Sequence, residues 1–247
     1  MATVEQLLAS MAQAGVDQCV AFGFAFSDPG LCRLCNDYVL SSAREHAREI
    51  LPFAVVAPDE SGMAEAESVR CLEQGAMGLG ELMPDAGVFG ADDPRLEGVM
   101  RVARQARVPV MIHVNEQLGH EYRGKGAFGP VDGYRLATRF PANELIFSHW
   151  GGGLAFYELM PEVRKALANV YYDTAASLYL YDDAIFGCLM GCAASKILFG
   201  TDYPLIGQQR FMRRLADSGL GSDDLRSLLG GNLERLLSGQ RLGGGAA

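Results

Sequence analysis

Short apolar segments alternate with longer amphipathic segments along the whole chain, and this alternation constrains the fold more than any other feature. In seven of the short segments, apolar residues occupy both alternating sets of positions, which is typical of strands buried on both faces. These segments are residues 18–24, 51–57, 77–83, 108–114, 144–148, 169–174 and 196–200. Strands of this kind belong to parallel sheets that are covered on both faces.

The longer segments have the apolar spacing of amphipathic helices. The sequence predicts helices over residues 4–14, 64–74, 94–106, 157–167 and 208–218, and a final helix over 223–237. Repeated strand–helix units imply parallel strands that are joined by right-handed crossovers. We therefore predict an α/β fold, a TIM-type (β/α) barrel with seven recognisable strands, as a single domain over residues 1–240. The glycine-rich tail over 241–247 is predicted to be disordered.

The charge balance and the cysteines narrow the class of protein. The chain has 30 acidic and 21 basic residues, which gives a net charge of -9 with histidine neutral. An acidic chain without a basic stripe argues against nucleic acid and membrane surfaces as partners. The first residues lack the basic and apolar regions of a secretory signal peptide. No apolar run approaches the roughly 18–20 residues of a membrane helix. The cysteines are scattered along the chain, which is typical of proteins with reduced thiols. We therefore expect a cytoplasmic protein that acts on a small molecule.

Four ionisable residues lie at or just beyond the ends of four predicted strands: Glu81, His113, His149 and Asp202. Active sites of parallel α/β folds collect at the carboxyl ends of the strands, so we expect these side chains to converge. Two imidazoles and one carboxylate suit a zinc-type ion with an open position for water, whose pKa the ion lowers. We predict Glu81, His113 and His149 as metal ligands and Asp202 as the general base. For any one of these residues alone, a hydrogen-bonded core side chain is the alternative.

The sequences around these residues resemble a known family. GELMP around Glu81, IHVNE around His113, FSHWGGG around His149 and FGTDYP around Asp202 occur in the order found in the amidohydrolase superfamily, in its amidohydrolase-related branch of small TIM-barrel enzymes. The resemblance covers nearly the whole chain and includes the ending SLLGGNLERLL. It implies a metal-dependent hydrolase or, in some relatives, a lyase. It also implies that both histidines bind metal, that Glu81 binds or bridges metal, and that Asp202 binds metal or acts as the base.

The chain departs from this family at its first strand. That strand carries a His-x-His pair in the family, and no such pair occurs here. Either the true start lies upstream of Met1 or the barrel lacks its first strand. Because the missing pair belongs to one of two adjacent metal positions, the resemblance implies a site with a single ion. A barrel without its first strand leaves strand edges at 18–24 and 196–200, which favours a homo-oligomer.

The segment that follows His113 is a candidate substrate-binding loop. It contains Glu116, His120, Tyr122, Arg123 and Lys125, a cluster that suits a carboxylate or phosphate of the substrate, with a solvated loop as the alternative. Three further candidate substrate contacts lie next to the predicted site or on a strand, namely Trp150, Tyr203 and Asp173.

Three functions are compatible with these features. The leading hypothesis is hydrolysis of a small carbonyl substrate such as an amide, ester or lactone, with a divalent ion, most simply Zn²⁺, that activates water. The second is non-oxidative decarboxylation of an aromatic or unsaturated acid, which the family resemblance also allows. The third is a catalytically degenerate barrel or a subunit, which the missing His-x-His pair supports.

Overall fold

Seven parallel strands form the centre of the fold, as predicted. The computed structural model describes residues 2–87, 89–122 and 124–239, so the predicted tail over 241–247 lies outside the described residues. The strands are β1 (Cys19–Ala21), β2 (Ile50–Ala54), β3 (Gly78–Leu82), β4 (Val110–Ile112), β5 (Leu145–Phe147), β6 (Val170–Asp173) and β7 (Ile197–Leu198). They lie in the order of the chain, and each pairs in parallel with the next. The helical crossovers between them follow from this order.

Helices cover the outside of the sheet. The α-helices are α1 (Val4–Ala14), α2 (Pro29–Glu45), α3 (Met63–Glu73), α4 (Pro84–Gly87), α5 (Leu96–Ala106), α6 (Pro130–Arg139), α7 (Pro161–Ala166), α8 (Ser177–Leu180), α9 (Ala184–Ala193), α10 (Gln208–Ala216), α11 (Ser222–Arg226) and α12 (Asn232–Leu237). The segment His149–Leu159 links β5 to α7, with left-handed backbone at residues 149–153 before its 3₁₀ turns. The first helix is well defined locally, because Thr3 and Gln6 form a capping box and Gly15 ends the helix in the left-handed region.

Two of the predicted helices differ from the structure. The helix predicted over 157–167 is confined to α7, because proline in the first turn starts a new helix at Pro161 and the residues before it belong to the 3₁₀ segment. The helix predicted over 223–237 is wrong as a single helix. It is divided into α11, the irregular segment Ser227–Gly231 and α12, because Gly230 takes a non-helical φ of 158°.

The sheet has an apolar layer on each face. On the outer face, the strands pack against the helices in a large core that includes Val110, Leu145 and Val170. The inner face carries the alternating residues of the same strands, such as Ile146 and Tyr171. Three leucines of α12 cover this inner layer, namely Leu233, Leu236 and Leu237. The terminal helix thus packs against the inside of the barrel and not against its outer surface.

The barrel is partial. Within the described residues, β1 pairs only with β2 and β7 pairs only with β6, so the sheet does not close on itself. Helices α1 and α10 meet beside these two strands, where Tyr203 Oη donates to the carbonyl of Gln6 at 3.1 Å and Gln209 Nε2 donates to that of Gln13 at 3.3 Å. In the described part of the chain, no helix combines the length and the apolar character that crossing a membrane requires.

Candidate metal centre

The carboxyl ends of three strands bring Glu81, His113 and His149 together. Each residue offers one ligand atom that lies within 4.8 Å of the other two. His113 Nδ1 is 3.0 Å from Glu81 Oε1 and 3.3 Å from His149 Nε2. The side chains of His113 and Glu81 keep exposed fractions of only 15% and 16%, and His149 is buried. The predicted convergence of these three residues is therefore present in the structure.

Hydrogen bonds determine which ring nitrogen of each histidine carries the proton. His149 Nδ1 lies 3.2 Å from the carbonyl oxygen of Ala175, and a carbonyl only accepts, so Nδ1 is the donor and Nε2 carries the lone pair. His113 Nε2 lies 3.2 Å from Asn115 Oδ1, so it donates and leaves Nδ1 for the centre. Two ring lone pairs and one carboxylate oxygen thus face the same point. Because these electron-rich atoms repel one another at such short distances, a proton or a cation must lie among them.

Without an ion, a proton serves this purpose. Burial by itself lowers the pKa of His113, but the charge and the hydrogen bond of Glu81 outweigh burial and raise that pKa to about 9. Burial raises the pKa of Glu81, but the neighbouring His113 lowers it to about 2. The pair is therefore imidazolium and carboxylate at neutral pH. Two nitrogens and one carboxylate oxygen are donors that zinc-type divalent ions prefer, so the residues present fit such an ion in place of this proton.

A buried carboxylate holds His149 in position. His149 has a φ of 56°, in the left-handed region that is unfavourable for residues with a side chain. Asp173 Oδ1 accepts the backbone N–H groups of His149 and Ala175, both at 2.9 Å, and so stabilises this turn. Burial raises the pKa of Asp173 to about 6, against the favourable influence of His149. The sequence suggested Asp173 as a substrate contact, and the structure gives it this supporting position instead.

Asp202 lies near the centre but outside the group of three candidate ligands. It follows β7 with a φ of 60° and is exposed. Surrounding protein atoms partly desolvate its carboxylate and raise its pKa, and the charge of Glu81 adds to this rise, whereas His149 and His113 oppose it. Its predicted role as a metal ligand therefore has no support from this geometry. Proton transfer, the other predicted role, suits a carboxyl group with a raised pKa beside the site.

The candidate substrate-binding loop is held by its own polar groups. Lys125 Nζ donates to the carbonyls of Leu118 and His120 at 3.1 and 3.2 Å, and its side chain is only 6% exposed. The prediction that Lys125 binds an anionic substrate is therefore corrected, because this cation stabilises the loop. Tyr122 Oη donates to Glu116 Oε2 at 3.2 Å, and both residues reach the surface.

Other members of the predicted substrate set occupy different places. The ring of His120 lies against Tyr122 in the loop, and Arg123 lies outside the described residues. Trp150 is fully buried, and its Nε1 donates to Ser177 Oγ at 2.7 Å, so it belongs to the core and does not reach a substrate. Tyr203 points its hydroxyl at α1, where it donates to the carbonyl of Gln6. Adjacency in the sequence to His149 or Asp202 did not indicate the direction of these two side chains.

Two residues of the site were not singled out from the sequence, namely Asn115 and Asp85. Asn115 is buried, follows His113 by two residues and contacts both His113 and Asp85. A signal for Asn115 was present, because residues two apart on a strand point to the same face. No comparable signal existed for Asp85, which follows β3 on the short helix α4.

Solved structures with the same fold include both hydrolase-like proteins and decarboxylases. A putative amidohydrolase from Staphylococcus aureus is 20% identical, with a TM-score of 0.78, and the match covers 95% of this chain and 91% of that one. A dihydroxybenzoic acid decarboxylase from Polaromonas with bound manganese is 16% identical, with a TM-score of 0.77 and coverage of 95% and 85%. A 5-carboxyvanillate decarboxylase from Sphingomonas paucimobilis is 16% identical, with a TM-score of 0.75 and coverage of 94% and 82%.

Sequence similarity gives the family. No curated protein is similar enough in sequence to match this chain. A family model described as amidohydrolase matches residues 3–238, which is nearly the whole length and includes all four motifs. The chain therefore belongs to the amidohydrolase family and folds as a partial TIM-type barrel of that family.

Proposed function

We propose that the chain is a metal-dependent enzyme that catalyses the non-oxidative decarboxylation of a small aromatic or unsaturated carboxylic acid. The observation that carries the proposal is the convergence of Glu81 Oε1, His113 Nδ1 and His149 Nε2, with both ring lone pairs directed at one point. These three atoms would hold one divalent ion. Zn²⁺ suits two nitrogens and a carboxylate, and Mn²⁺ is the alternative, since the Polaromonas decarboxylase contains manganese.

The choice of decarboxylation is supported by the similar structures. The Sphingomonas and Polaromonas proteins are named for the aromatic carboxylic acids that they decarboxylate. At 16% identity this likeness concerns the fold, so the reaction enters here as our proposal. The structure adds one argument of its own. Asp202 has a raised pKa beside the centre, and decarboxylation needs an acid that replaces the departing carboxyl group with a proton.

Each residue has a defined role in this proposal. When bound, the ion would supply a positive charge that holds and polarises an anionic group of the substrate. Asp202 donates its proton to the carbon that bears the carboxylate, and an electron pair of the unsaturated system forms the new carbon–hydrogen bond. The carbon–carbon bond then breaks, its electron pair restores the unsaturation, and carbon dioxide leaves. Asp202 regains a proton from water, to which it is exposed.

Hydrolysis of an amide, ester or lactone is the second candidate. It is favoured by the exposure of Asp202, because hydrolysis must take a proton from a water molecule at the mouth of the site. Here Asp202 acts as a base first and then passes the proton to the leaving group. The two reactions therefore use the same residues with opposite initial protonation of Asp202.

Isotopes distinguish the two reactions. Purified protein is loaded separately with Zn²⁺ and Mn²⁺ and incubated with hydroxybenzoic acids and, in parallel, with amides, esters and lactones. Decarboxylation in D₂O releases carbon dioxide and leaves deuterium on the carbon that bore the carboxylate. Hydrolysis in H₂¹⁸O places ¹⁸O in the product acid. We expect the first result, and the second alone would replace the proposal by the hydrolase.

The substitution Asp202→Asn is the matched control. It preserves the size of the side chain and removes its proton, so turnover is lost while the bound ion remains. If neither ion binds and no substrate of either class reacts, the chain is a degenerate barrel and both enzymatic proposals are wrong.

A further inference from the structure

Asn115 connects the candidate metal centre to a carboxylate outside it. Its Oδ1 lies 3.2 Å from His113 Nε2, and its Nδ2 donates to Asp85 Oδ2 at 3.3 Å. The side chain is buried, and its backbone N–H donates to the carbonyl of Phe128 at 2.8 Å. The amide thus bridges a ring nitrogen and a carboxylate, with its own backbone held by the far end of the candidate substrate-binding loop.

Asp85 determines which way this amide points. A carboxylate only accepts hydrogen bonds, so the NH₂ group of Asn115 must face it and the amide oxygen must face His113. The second oxygen, Asp85 Oδ1, accepts the backbone N–H of Ala127 at 2.8 Å, which holds the carboxylate in place. A reversed amide would direct its oxygen at the Asp85 carboxylate and its NH₂ group at the ring.

The neighbouring backbone leaves room for this chain of hydrogen bonds. A Cβ atom on Gly126 would collide with the Asp85 carboxylate, and one on Gly152 would collide with the carbonyl group of Asn115. The two glycines come from different loops, so both the loop after β4 and the segment after β5 are fitted closely around Asp85 and Asn115. A side chain at residue 126 would displace the Asp85 carboxylate, and one at residue 152 would displace the backbone that carries the Asn115 side chain.

From these contacts we propose that Asp85 and Asn115 are positioning residues that fix the proton of His113 on Nε2, so that its Nδ1 lone pair faces the metal centre. The inference rests on the metal-binding part of the proposed function. With the amide in its observed orientation, the other neutral form of the ring would place a lone pair against Asn115 Oδ1 and an N–H where the ion binds. Outer hydrogen bonds of this kind typically change metal affinity by about 10- to 100-fold.

The test measures zinc affinity by competition with a chelating indicator, together with the ¹⁵N signals of the His113 ring. In the unaltered zinc-loaded protein, Nδ1 should show the shift of a coordinated nitrogen and Nε2 that of a protonated one. Asn115→Leu and Asp85→Asn should weaken zinc binding about 10- to 100-fold. Both should also give His113 rings of mixed protonation. Loss of the signals in His113→Gln assigns them.

Two matched variants separate positioning from general damage to the fold. Asn143→Leu removes another buried asparagine, whose Nδ2 donates to the carbonyl of Met100, and Asp132→Asn alters another carboxylate that accepts a backbone N–H, that of Gly129. Both controls should keep the zinc affinity and the ring signals, even where they lower stability. Unchanged affinity and unchanged signals in Asn115→Leu and Asp85→Asn would overturn the assignment of these two residues.

The result also distinguishes this inference from the proposed function. If the unaltered protein binds neither Zn²⁺ nor Mn²⁺, the metal-dependent function fails. The His113 Nε2–H signal of the ion-free protein at neutral pH then decides the inference separately. A proton on Nε2 that exchanges slowly with water, and that exchanges fast in Asn115→Leu, supports the positioning role, and fast exchange already in the unaltered protein refutes it.

Discussion

Asp173 Oδ1 accepts the backbone N–H of His149 at 2.9 Å. A buried acid on β6 therefore holds a candidate ligand that follows the neighbouring strand, β5. The raised pKa of Asp173, about 6 against an ordinary 3.8, means that the folded protein binds this proton more tightly than the unfolded chain does. The contribution of Asp173 to stability is therefore fully present below pH 4 and declines as the pH rises through 6.

Substitution by asparagine, which resembles the protonated acid, tests this sign. In the ion-free protein, the free energy of unfolding of Asp173→Asn should rise relative to that of the unaltered protein as the pH increases from 4 to 7. The difference should reach the order of 3 kcal/mol, from about 1.4 kcal/mol for each unit of pKa. Urea titrations at several pH values measure it, and a difference that stays constant with pH contradicts the prediction.

Zinc binding should release a proton. His113, with a pKa of about 9, is protonated at pH 7 in the ion-free protein, and its Nδ1 must lose that proton to bind an ion. Affinity should therefore rise about tenfold per pH unit toward pH 9. Calorimetry in buffers with different heats of ionisation should count close to one proton released at pH 7. Binding without a change in protonation would show that His113 is not a ligand.

Asp202 and Glu81 should have separable effects. Asp202→Asn is expected to lower kcat about 100-fold or more, with zinc affinity within a few fold of the unaltered protein, because Asp202 lies outside the three ligands. Glu81→Gln should weaken zinc binding itself, because it replaces the carboxylate that contacts His113. Metal analysis after dialysis and steady-state kinetics distinguish the two, and loss of the ion from Asp202→Asn would make Asp202 a ligand.

Lys196 and Glu158 form a buried ion pair that should contribute to the stability of the fold and not to metal binding. Lys196 Nζ lies 2.8 Å from Glu158 Oε1, which also accepts from Tyr172 Oη at 3.0 Å. Lys196→Met should lower the free energy of unfolding by about 3–5 kcal/mol, because it leaves a buried carboxylate without its cation. The double variant with Glu158→Leu should recover part of this loss. Thermal unfolding measures both, and additive losses would contradict the pairing.

The open edges of β1 and β7 predict self-association. Unpaired edge strands expose backbone donors and acceptors that a second chain can satisfy. Light scattering on the purified protein should give the mass of a dimer or a larger oligomer. A stable monomer across the concentrations tested would show that the meeting of α1 and α10 protects these edges sufficiently.

The strand cores and the convergence of the three candidate ligands could be predicted because each leaves a local signal. An apolar run that ends in a histidine or an acid, as at His113 and His149, indicates both the strand and the end at which chemistry occurs. The strands are shorter than these runs, because apolar residues continue past the last ladder pair. The division of the terminal helix depends on the φ of Gly230, and a glycine in the sequence permits such an angle without requiring it.

The surroundings of the site could not be predicted in the same way. Lys125 is a cation in the sequence, but the carbonyls of Leu118 and His120 that engage it depend on the path of the loop. Trp150 follows the candidate ligand His149, which suggested a substrate contact. Its backbone has a left-handed φ of 60°, and its side chain is buried in the core. These outcomes depend on backbone geometry and on partners far apart in the chain, which residue type and spacing do not encode.

Helix α12 packs into the interior of the partial barrel. Its leucines lie against the layer that contains Met111 and Ile146, and Met111 precedes His113 by two residues on the same face of β4. Close-packed interiors transmit strain, so a substitution that displaces α12 would be felt at the strand that leads to His113.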